Sequence, residues 1–222
     1  DPTEVAFLDA TEAGIFVSVS AGNSGPGAGS IEHHAPWTSS VGASTHGRIY
    51  QNQVDVVATG GTMTGIPSWI GVAVDINTDF TAPIKHVAEY PSACLIPVGD
   101  PIVWVSPFED GTFTGKIALV QRGGCTFDEK MINVYDAGAV GMIVFNNAGG
   151  PPVPMGLTET SIPAVMIGLS HGLELTALID GDDTATATIH PDTTLLINPE
   201  YEDVMAGFSS RGPTYFDLLK PD

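Results

Sequence analysis

The stretch GKIALVQRGGCTFDEKMINVYDAGAVGMIVFNN, residues 115–147, places a helical pattern between two short apolar runs. The runs KIALVQR and VGMIVFNN are rich in apolar and β-branched residues and indicate strands. Between them, Thr126 and Glu129 have the spacing of a capping box. The apolar positions that share one face of this helix are Phe127, Met131, Val134 and Tyr135. The stretch predicts a strand–helix–strand unit in which the helix packs on neighbouring strands.

The sequence around this stretch, residues 61–195, has the same pattern of short β-strand-like runs. Short runs such as SWIGVAVDI and IPAVMIG are separated by closely spaced Gly and Pro turns. A second helix is predicted over residues 170–179. We expect residues 61–195 to form a β-rich α+β unit.

Residues 1–60 have a different pattern, in which a helix precedes a strand. A helix is predicted over residues 3–13 with Thr3 as its N-cap, and the alternating run IFVSVS, residues 15–20, predicts a strand. This order indicates an α/β sheet. The turn at residues 22–27 then lies at the carboxyl end of the strand, where α/β sheets gather ligands and catalytic groups.

The turn itself, AGNSGP, contains a side-chain amide donor at Asn23. Glycine at positions 22 and 25 permits positive φ and a close backbone approach, so the loop can bring the amide to a substrate carbonyl. An ordinary Asx turn is the alternative. The hexamer alone leaves both interpretations open.

The charge of the chain limits its partners. Seven Lys and Arg stand against 26 Asp and Glu, a formal net charge of −19. Such a surface repels nucleic acid and anionic membranes, so neither is expected as a partner.

No apolar run approaches the roughly 20 residues that span a bilayer. The dispersed acidic charge is typical of a secreted protein. Because DPTEVAFLDATEAG reads as a helix already under way, we expect a segment of a longer chain.

The two cysteines, Cys94 and Cys125, are not in a CxxC pair and lie near no histidine cluster. Zinc-ligand spacing is therefore absent, and no metal site is expected from them. They form either one disulfide or two buried thiols. The acidic, lysine-poor composition favours the disulfide, since such bonds persist outside the cell.

Two separated segments resemble the subtilisin-like serine proteases, or subtilases. They are GIFVSVSAGNSGPGAGSIEHHAPWTSSVGAST, residues 14–45, and FSSRGP followed by LKPD within residues 208–222. By this resemblance Asn23 matches the oxyanion-hole asparagine. The residues that match the backbone of one wall of the S1 pocket are Ser20, Ala21 and Gly22.

The resemblance also implies what the chain lacks. In the family, the triad Asp and His precede the Asn motif and the nucleophilic Ser follows the Arg-Gly-Pro motif. We therefore expect none of the three here, and no peptidase activity from the chain alone. All six histidines are interpreted as surface residues: His33, His34, His46, His86, His171 and His190.

Residues 115–147 and the run IPAVMIG resemble the protease-associated domain, which occurs as an insert in some subtilases. The resemblance implies a subtilase segment over residues 1–60, an insert over 61–195 and a second subtilase segment over 196–222. The expected fold is an α/β subtilase fragment that flanks a β-rich α+β insert. The implied function is a secreted serine endopeptidase acting on proteins or peptides, whose non-catalytic insert contacts substrates or controls access. A stand-alone binding module of sorting-receptor type is the alternative.

Weaker signals concern cofactors and partners. No cofactor is expected to be required. Asp180, Asp182 and Asp183 offer oxygen ligands for calcium, but their spacing favours a solvated turn. Trp69 and Trp104 are interpreted as core residues rather than a peptide-binding face. The remaining partner is the rest of the catalytic domain, and exposed strand edges could pair with another copy.

Overall fold

The structure is a computed structural model that describes residues 1–70, 76–149, 152–158, 161–197, 199, 202–215 and 221. The chain divides into two units. The first, called the flank unit, comprises Asp1–Ile49 and Leu196–Asp222, and the second, called the insert unit, comprises Tyr50–Leu195.

The described residues are rich in strands and contain few helices. The helices are α1 (Pro2–Glu12), α2 (Phe127–Asp136) and α3 (Leu169–Leu178). The strands are β1 (Ser18–Ser20), β2 (Ser39–Val41), β3 (Arg48–Ala58), β4 (Gly61–Ile70), β5 (Phe80–His86), β6 (Ile96–Val98), β7 (Val103–Val105), β8 (Ile117–Gln121), β9 (Gly141–Phe145), β10 (Ala164–Ile167) and β11 (Thr186–Ile197).

The insert unit is built on a sheet that closes on itself in the order β10-β4-β3-β11-β5-β8-β9. Strands β5, β8, β9 and β10 pair in parallel, and β4 pairs antiparallel with β10 and β3. Strands β9 and β10 are buried along their whole length. Parallel strands covered on both faces are continuously apolar, which explains the unbroken runs in the sequence.

Two apolar clusters lie on opposite faces of β9, because successive side chains of a strand alternate. Ile143 and Phe145 belong to a cluster that includes Leu175 of α3. Met142 and Val144 belong to a second cluster that includes Met131 of α2. Both helices therefore help to cover this sheet.

Helix α2 confirms the predicted N-cap and corrects the predicted face. The Thr126 hydroxyl accepts a hydrogen bond from the Glu129 N–H at 3.2 Å. The prediction that Tyr135 packs inward is wrong, since its side chain is exposed, whereas Lys130 and Asn133 are buried. These polar residues are buried because backbone carbonyls of residues 92, 93 and 123 accept their hydrogen bonds.

In the flank unit, both predicted elements are present with different bounds. Helix α1 begins at Pro2. Its N-cap is Asp1 and not the predicted Thr3, because the Asp1 carboxylate accepts a hydrogen bond from the Thr3 N–H at 2.9 Å. The predicted strand over residues 15–20 shortens to β1, which pairs in parallel with β2. Because the described flank holds only this helix and this two-stranded sheet, its α/β class stays a prediction.

The units and the predicted segments divide the chain at different places. The predicted boundary between residues 60 and 61 falls in the turn that joins β3 to β4. Those two strands pair with each other, so both lie in one sheet, and the structural boundary comes earlier, after Ile49. The assignment of roles to residues 1–60, 61–195 and 196–222 stays a prediction.

The interpretation of Trp69 and Trp104 as core residues is wrong. Trp69 is partly exposed on β4, where the side chains of its neighbours Ile66 and Ser68 are buried instead. Trp104 is exposed on β7, which forms a separate two-stranded sheet with β6. The sequence does not show which face of a short strand is covered. In the part of the chain that the structure describes, no helix is long and apolar enough to cross a membrane.

Candidate functional site

The AGNSGP loop begins where β1 ends and is anchored on both sides by backbone hydrogen bonds. The Ala21 N–H donates to the Val41 carbonyl at 2.9 Å, and the Ala21 carbonyl accepts from the Glu32 N–H at 3.1 Å. Ala21 is buried between these partners, whereas Ser20 is exposed. The backbone of the predicted S1 wall is thereby fixed as far as residue 21.

Gly22 is required by the course of the loop. Its φ is +105°, and a Cβ atom at this position would overlap the side chain of Glu32. The same Glu32 carboxylate accepts hydrogen bonds from the Asn23 N–H at 3.3 Å and the Ser24 hydroxyl at 3.2 Å. Glu32 therefore occupies the space that the missing side chain leaves and holds the next two residues.

A distant part of the sequence completes the loop. The Ser210 N–H donates to the Gly22 carbonyl at 3.0 Å, and the Ser24 N–H donates to the Ser210 hydroxyl at 2.9 Å. The Gly25 N–H donates to the Phe208 carbonyl at 2.9 Å. The segments AGNSGP and FSSRGP, which carry the subtilase resemblance, are thus in direct contact.

The Asn23 side chain is exposed at the tip of this loop. Among the residues that the structure describes, its amide has no hydrogen-bond partner. The Gly25 N–H, which an Asx turn from Asn23 would use, is bonded to Phe208 instead. The arrangement holds an amide donor on a fixed backbone and leaves it open to solvent.

A second predicted pair, Cys94 and Cys125, is joined by a disulfide in the insert unit, with the Cα atoms 5.7 Å apart. The ammonium of Lys130 lies beside it, 3.5 Å from the Cys94 sulfur. It donates to the carbonyls of Ser92 at 2.5 Å and Gly123 at 2.6 Å. Burial lowers the pKa of Lys130 to about 8, although the neighbouring Glu129 carboxylate opposes the shift.

Two groups of side chains in the insert unit contain metal-ligand residue types. The two cysteine sulfurs and a Glu129 oxygen lie within 4.8 Å of one another, but disulfide sulfurs are not thiolates and do not bind metal as a thiolate does. The Asp182 carboxylate accepts hydrogen bonds from Thr59 and from Thr184, which hold the pKa of Asp182 below its usual range. Asp183 forms a salt bridge to Lys116. The interpretation of this turn as a solvated turn, rather than as a calcium site, stays a prediction.

The interpretation of all six histidines as surface residues is wrong for five of them. Only His46 is exposed, and the other five are partly buried. His33 Nδ1 lies 2.7 Å from the Glu4 carboxylate, and His86 Nδ1 lies 2.8 Å from the Leu119 carbonyl. A partly buried histidine needs such partners, and neither contact is visible in the sequence.

Two polar clusters in the insert unit were not predicted from the sequence. One is Lys130 with the carbonyls around the disulfide, and the other is His190, which lies between Asp79 at 2.9 Å and Asp55 at 3.2 Å. These carboxylates raise the pKa of His190. Both clusters join residues from separate elements, so only the folded arrangement shows them.

Residues 81–175 match the PA domain family. Over its whole length the chain is 32% identical to a subtilisin-like protease, SBT1.6, of Arabidopsis thaliana, and it covers 28% of that protein. Over 52% of the chain it is 34% identical to the minor extracellular protease Vpr of Bacillus subtilis, and it covers 14% of that protein.

Among solved structures, the chain is similar to a psychrophilic subtilisin-like protease, Apa1, from the Antarctic psychrotroph Pseudoalteromonas sp. AS-11. The identity is 16%, with 91% of this chain and 54% of that chain covered, at a TM-score of 0.45.

These matches define the class of protein: a protease whose chain is interrupted by a PA domain. The chain belongs to the subtilisin-like protease family, and its PA domain lies within the insert unit. The chain spans about a quarter of the length of SBT1.6.

Proposed function

We propose that this chain is part of a subtilisin-like serine endopeptidase in which Asn23 donates a hydrogen bond to the oxyanion. Ser20, Ala21 and Gly22 form one wall of the S1 pocket. The Asp, His and Ser of the triad come from other parts of the parent protein, so this chain by itself does not hydrolyse peptides. The rest of the catalytic domain is then an obligatory partner.

The contact between the AGNSGP and FSSRGP segments is the observation that carries this proposal. An oxyanion donor acts in catalysis only if it is held in place before charge develops. Such rigidity comes from the hydrogen bonds that the Ser24 and Gly25 N–H groups donate to Ser210 and Phe208 and that the Gly22 carbonyl accepts from Ser210, while the Asn23 amide stays free to donate. A stand-alone receptor module would have no use for this loop.

The insert unit is proposed to be a non-catalytic module that contacts protein substrates or controls their access. Among the described residues of this unit, the titratable groups with shifted pKa values are Lys130, Asp182 and His190, and each is hydrogen-bonded to other residues of the same unit. A module without catalytic groups acts through docking or access. Comparing the parent protease with a version that lacks residues 50–195 tests this role: cleavage of large proteins should change more than cleavage of short peptides.

Secretion is part of the proposal. The disulfide of the insert unit persists in oxidising surroundings, and the strongly acidic composition suits an extracellular protein. The name of the Vpr relative describes an extracellular protease. No cofactor is required by the proposed acyl-transfer chemistry.

The catalytic role is tested by Asn23→Leu in the complete protease. Leucine has similar bulk but no donor, and a hydrogen bond to the oxyanion is stronger than one to the neutral substrate carbonyl. We expect kcat to fall about 100- to 1,000-fold with KM nearly constant, a magnitude measured in subtilisin itself. Steady-state kinetics with active-site titration gives both constants.

The matched control is Ser18→Ala, which removes a hydroxyl from an exposed position of β1 and keeps the Asn23 loop and its hydrogen bonds. Its kcat should stay within a few-fold of wild type. If Asn23→Leu instead lowers the melting temperature and leaves kcat per folded molecule unchanged, Asn23 has a structural role and the proposal fails.

A further inference from the structure

A hairpin of the insert unit exposes large apolar side chains. Strands β6 and β7 form a two-stranded sheet of their own, joined by a turn at residues 99–102. The exposed fractions are 67% for Ile102, 62% for Trp104, 55% for Val103 and 42% for Val98. Contiguous apolar side chains that remain open to water on a folded unit mark interaction sites.

The apolar residues occupy both faces of the hairpin. Residues directly opposite in an antiparallel pair share a face. Val98 lies opposite Val103 on one face, and Pro97 lies opposite Trp104 on the other. A segment of another protein laid against either face would therefore cover apolar surface.

The first strand of the hairpin is held firmly at its base. Four side-chain contacts join residues 92–95, which lead into β6, to α2 and the residues before it. They are the Cys94–Cys125 disulfide and hydrogen bonds from Lys130 to the Ser92 carbonyl, from Asn133 to the Ala93 carbonyl, and from the Leu95 N–H to Glu129.

The second strand is held by aromatic packing. Phe108, three residues after β7, packs edge-on against the fully buried Phe113, with ring centroids 4.9 Å apart. Tyr90 also packs edge-on against Phe108, with ring centroids 6.4 Å apart. A surface fixed at both ends loses little conformational entropy when a partner binds, so binding at the hairpin is favoured.

Charge indicates which partner fits. Asp100 lies in the hairpin turn, Glu109 and Asp110 follow β7 closely, and the chain as a whole carries a net charge of −19. A segment with Lys or Arg beside its apolar residues is attracted to this surface. A second copy of the chain brings the same negative charge and is repelled.

We propose that the β6–β7 hairpin is the docking site at which the insert unit holds an extended segment of a protein substrate that combines apolar with basic side chains. Trp104 is the main anchor, because exposed tryptophans contribute most to binding energy at interfaces. The inference rests on the proposed function, in which the insert unit contacts protein substrates.

The test measures peptide binding to the 222-residue chain by isothermal titration calorimetry. The probe is a short synthetic peptide that alternates Lys with Leu and Phe. Two comparison peptides replace every Lys by Glu, or every Leu and Phe by Ser. The variant is Trp104→Ser, and the matched control is Leu173→Ser, which removes an equally exposed apolar side chain from α3.

We expect the basic apolar peptide to bind and both comparison peptides to bind at least about tenfold more weakly. Trp104→Ser should weaken binding about tenfold or more, and Leu173→Ser should leave it unchanged. Added salt should reduce the affinity. If far-UV circular dichroism shows that Trp104→Ser is misfolded, Pro97→Ser, which lies opposite Trp104 on the same face, provides the same test.

Three results would overturn the inference. They are no binding of the basic apolar peptide, equal binding by Trp104→Ser and wild type, or sedimentation of the wild-type chain as a dimer that Trp104→Ser dissociates. The last result would assign the hairpin to self-association. None of these bears on the kcat of Asn23→Leu, so failure of the docking site is distinguishable from failure of the proposed catalytic role.

Discussion

The Ser210 hydroxyl accepts a hydrogen bond from the Ser24 N–H at 2.9 Å, although 186 residues separate the two in the sequence. Ser210 is fully buried, and its own N–H donates to the Gly22 carbonyl. One serine therefore holds the loop on either side of Asn23. The position of the proposed oxyanion donor depends on a segment that follows the whole insert unit.

Ser210→Ala tests this dependence. The substitution leaves the Ser24 N–H without its partner, so the free energy of unfolding of the flank unit should fall by about 1 kcal/mol. Equilibrium denaturation of the chain measures it. Ser18→Ala, at an exposed position of β1, should change stability by less than about 0.5 kcal/mol. Equal effects of the two variants would contradict a supporting role for Ser210.

Lys130 makes the stability of the insert unit depend on pH. Its pKa is about 8 in the folded chain and 10.5 in the unfolded chain. Below pH 8 the folded state bears the cost of a buried charge. Between pH 8 and 10.5 the unfolded state binds more protons than the folded state, so the free energy of unfolding rises with pH.

Between pH 7.5 and 10.5 we therefore expect the free energy of unfolding of wild type to rise by about 3 kcal/mol relative to that of Lys130→Met. Urea denaturation across this range measures the shift. Groups that the two proteins share contribute equally to both, so their contributions cancel. The difference should be constant below pH 7, and a difference that stays constant up to pH 10.5 would show that the Lys130 pKa is not lowered.

The Cys94–Cys125 disulfide should add about 3 to 4 kcal/mol to stability, since it closes a loop of 31 residues in the unfolded chain. Replacing both cysteines by serine should lower the denaturation midpoint accordingly. Mass spectrometry of unreduced, alkylated protein checks the bond directly. Two alkylated thiols would exclude it.

Gly172 should resist replacement by alanine even though it lies within α3. In an exposed helix this change stabilises by about 1 kcal/mol. Here a Cβ atom at position 172 would overlap the ring of Phe145, so overpacking should destabilise the chain by about 1 to 3 kcal/mol. Thermal denaturation decides the sign. Glu174→Ala, at an exposed site of the same helix, is the control and should be nearly neutral.

Local patterns predicted several elements of the insert unit well. The N-cap at Thr126, the two strands around α2 and the second helix near residues 170–179 all follow from spacing within a few residues. Such signals are reliable because capping and alternation act between near neighbours in the chain. The candidate Asn23 was also found from its motif, although its role stays a proposal.

Where the sequence failed, the deciding contact was a long-range one. The prediction buried Tyr135 and left Lys130 exposed. The apolar pattern of the helix does not show that three backbone carbonyls lie beside the face that carries Lys130 and accept hydrogen bonds there. Trp104 was interpreted as core, because hydrophobicity does not show that its hairpin stands apart from the closed sheet.

The sequence by itself determined the short-range features of this chain: where α2 begins, which runs form strands, and that Cys94 can pair only with Cys125 within it. Only the tertiary structure decided that Ser210 supports the Asn23 loop and that Gly172 must lack a side chain. The physical reason is that propensity and periodicity record interactions between residues a few positions apart. Burial and hydrogen bonding between distant residues are fixed only when the surfaces of different elements meet.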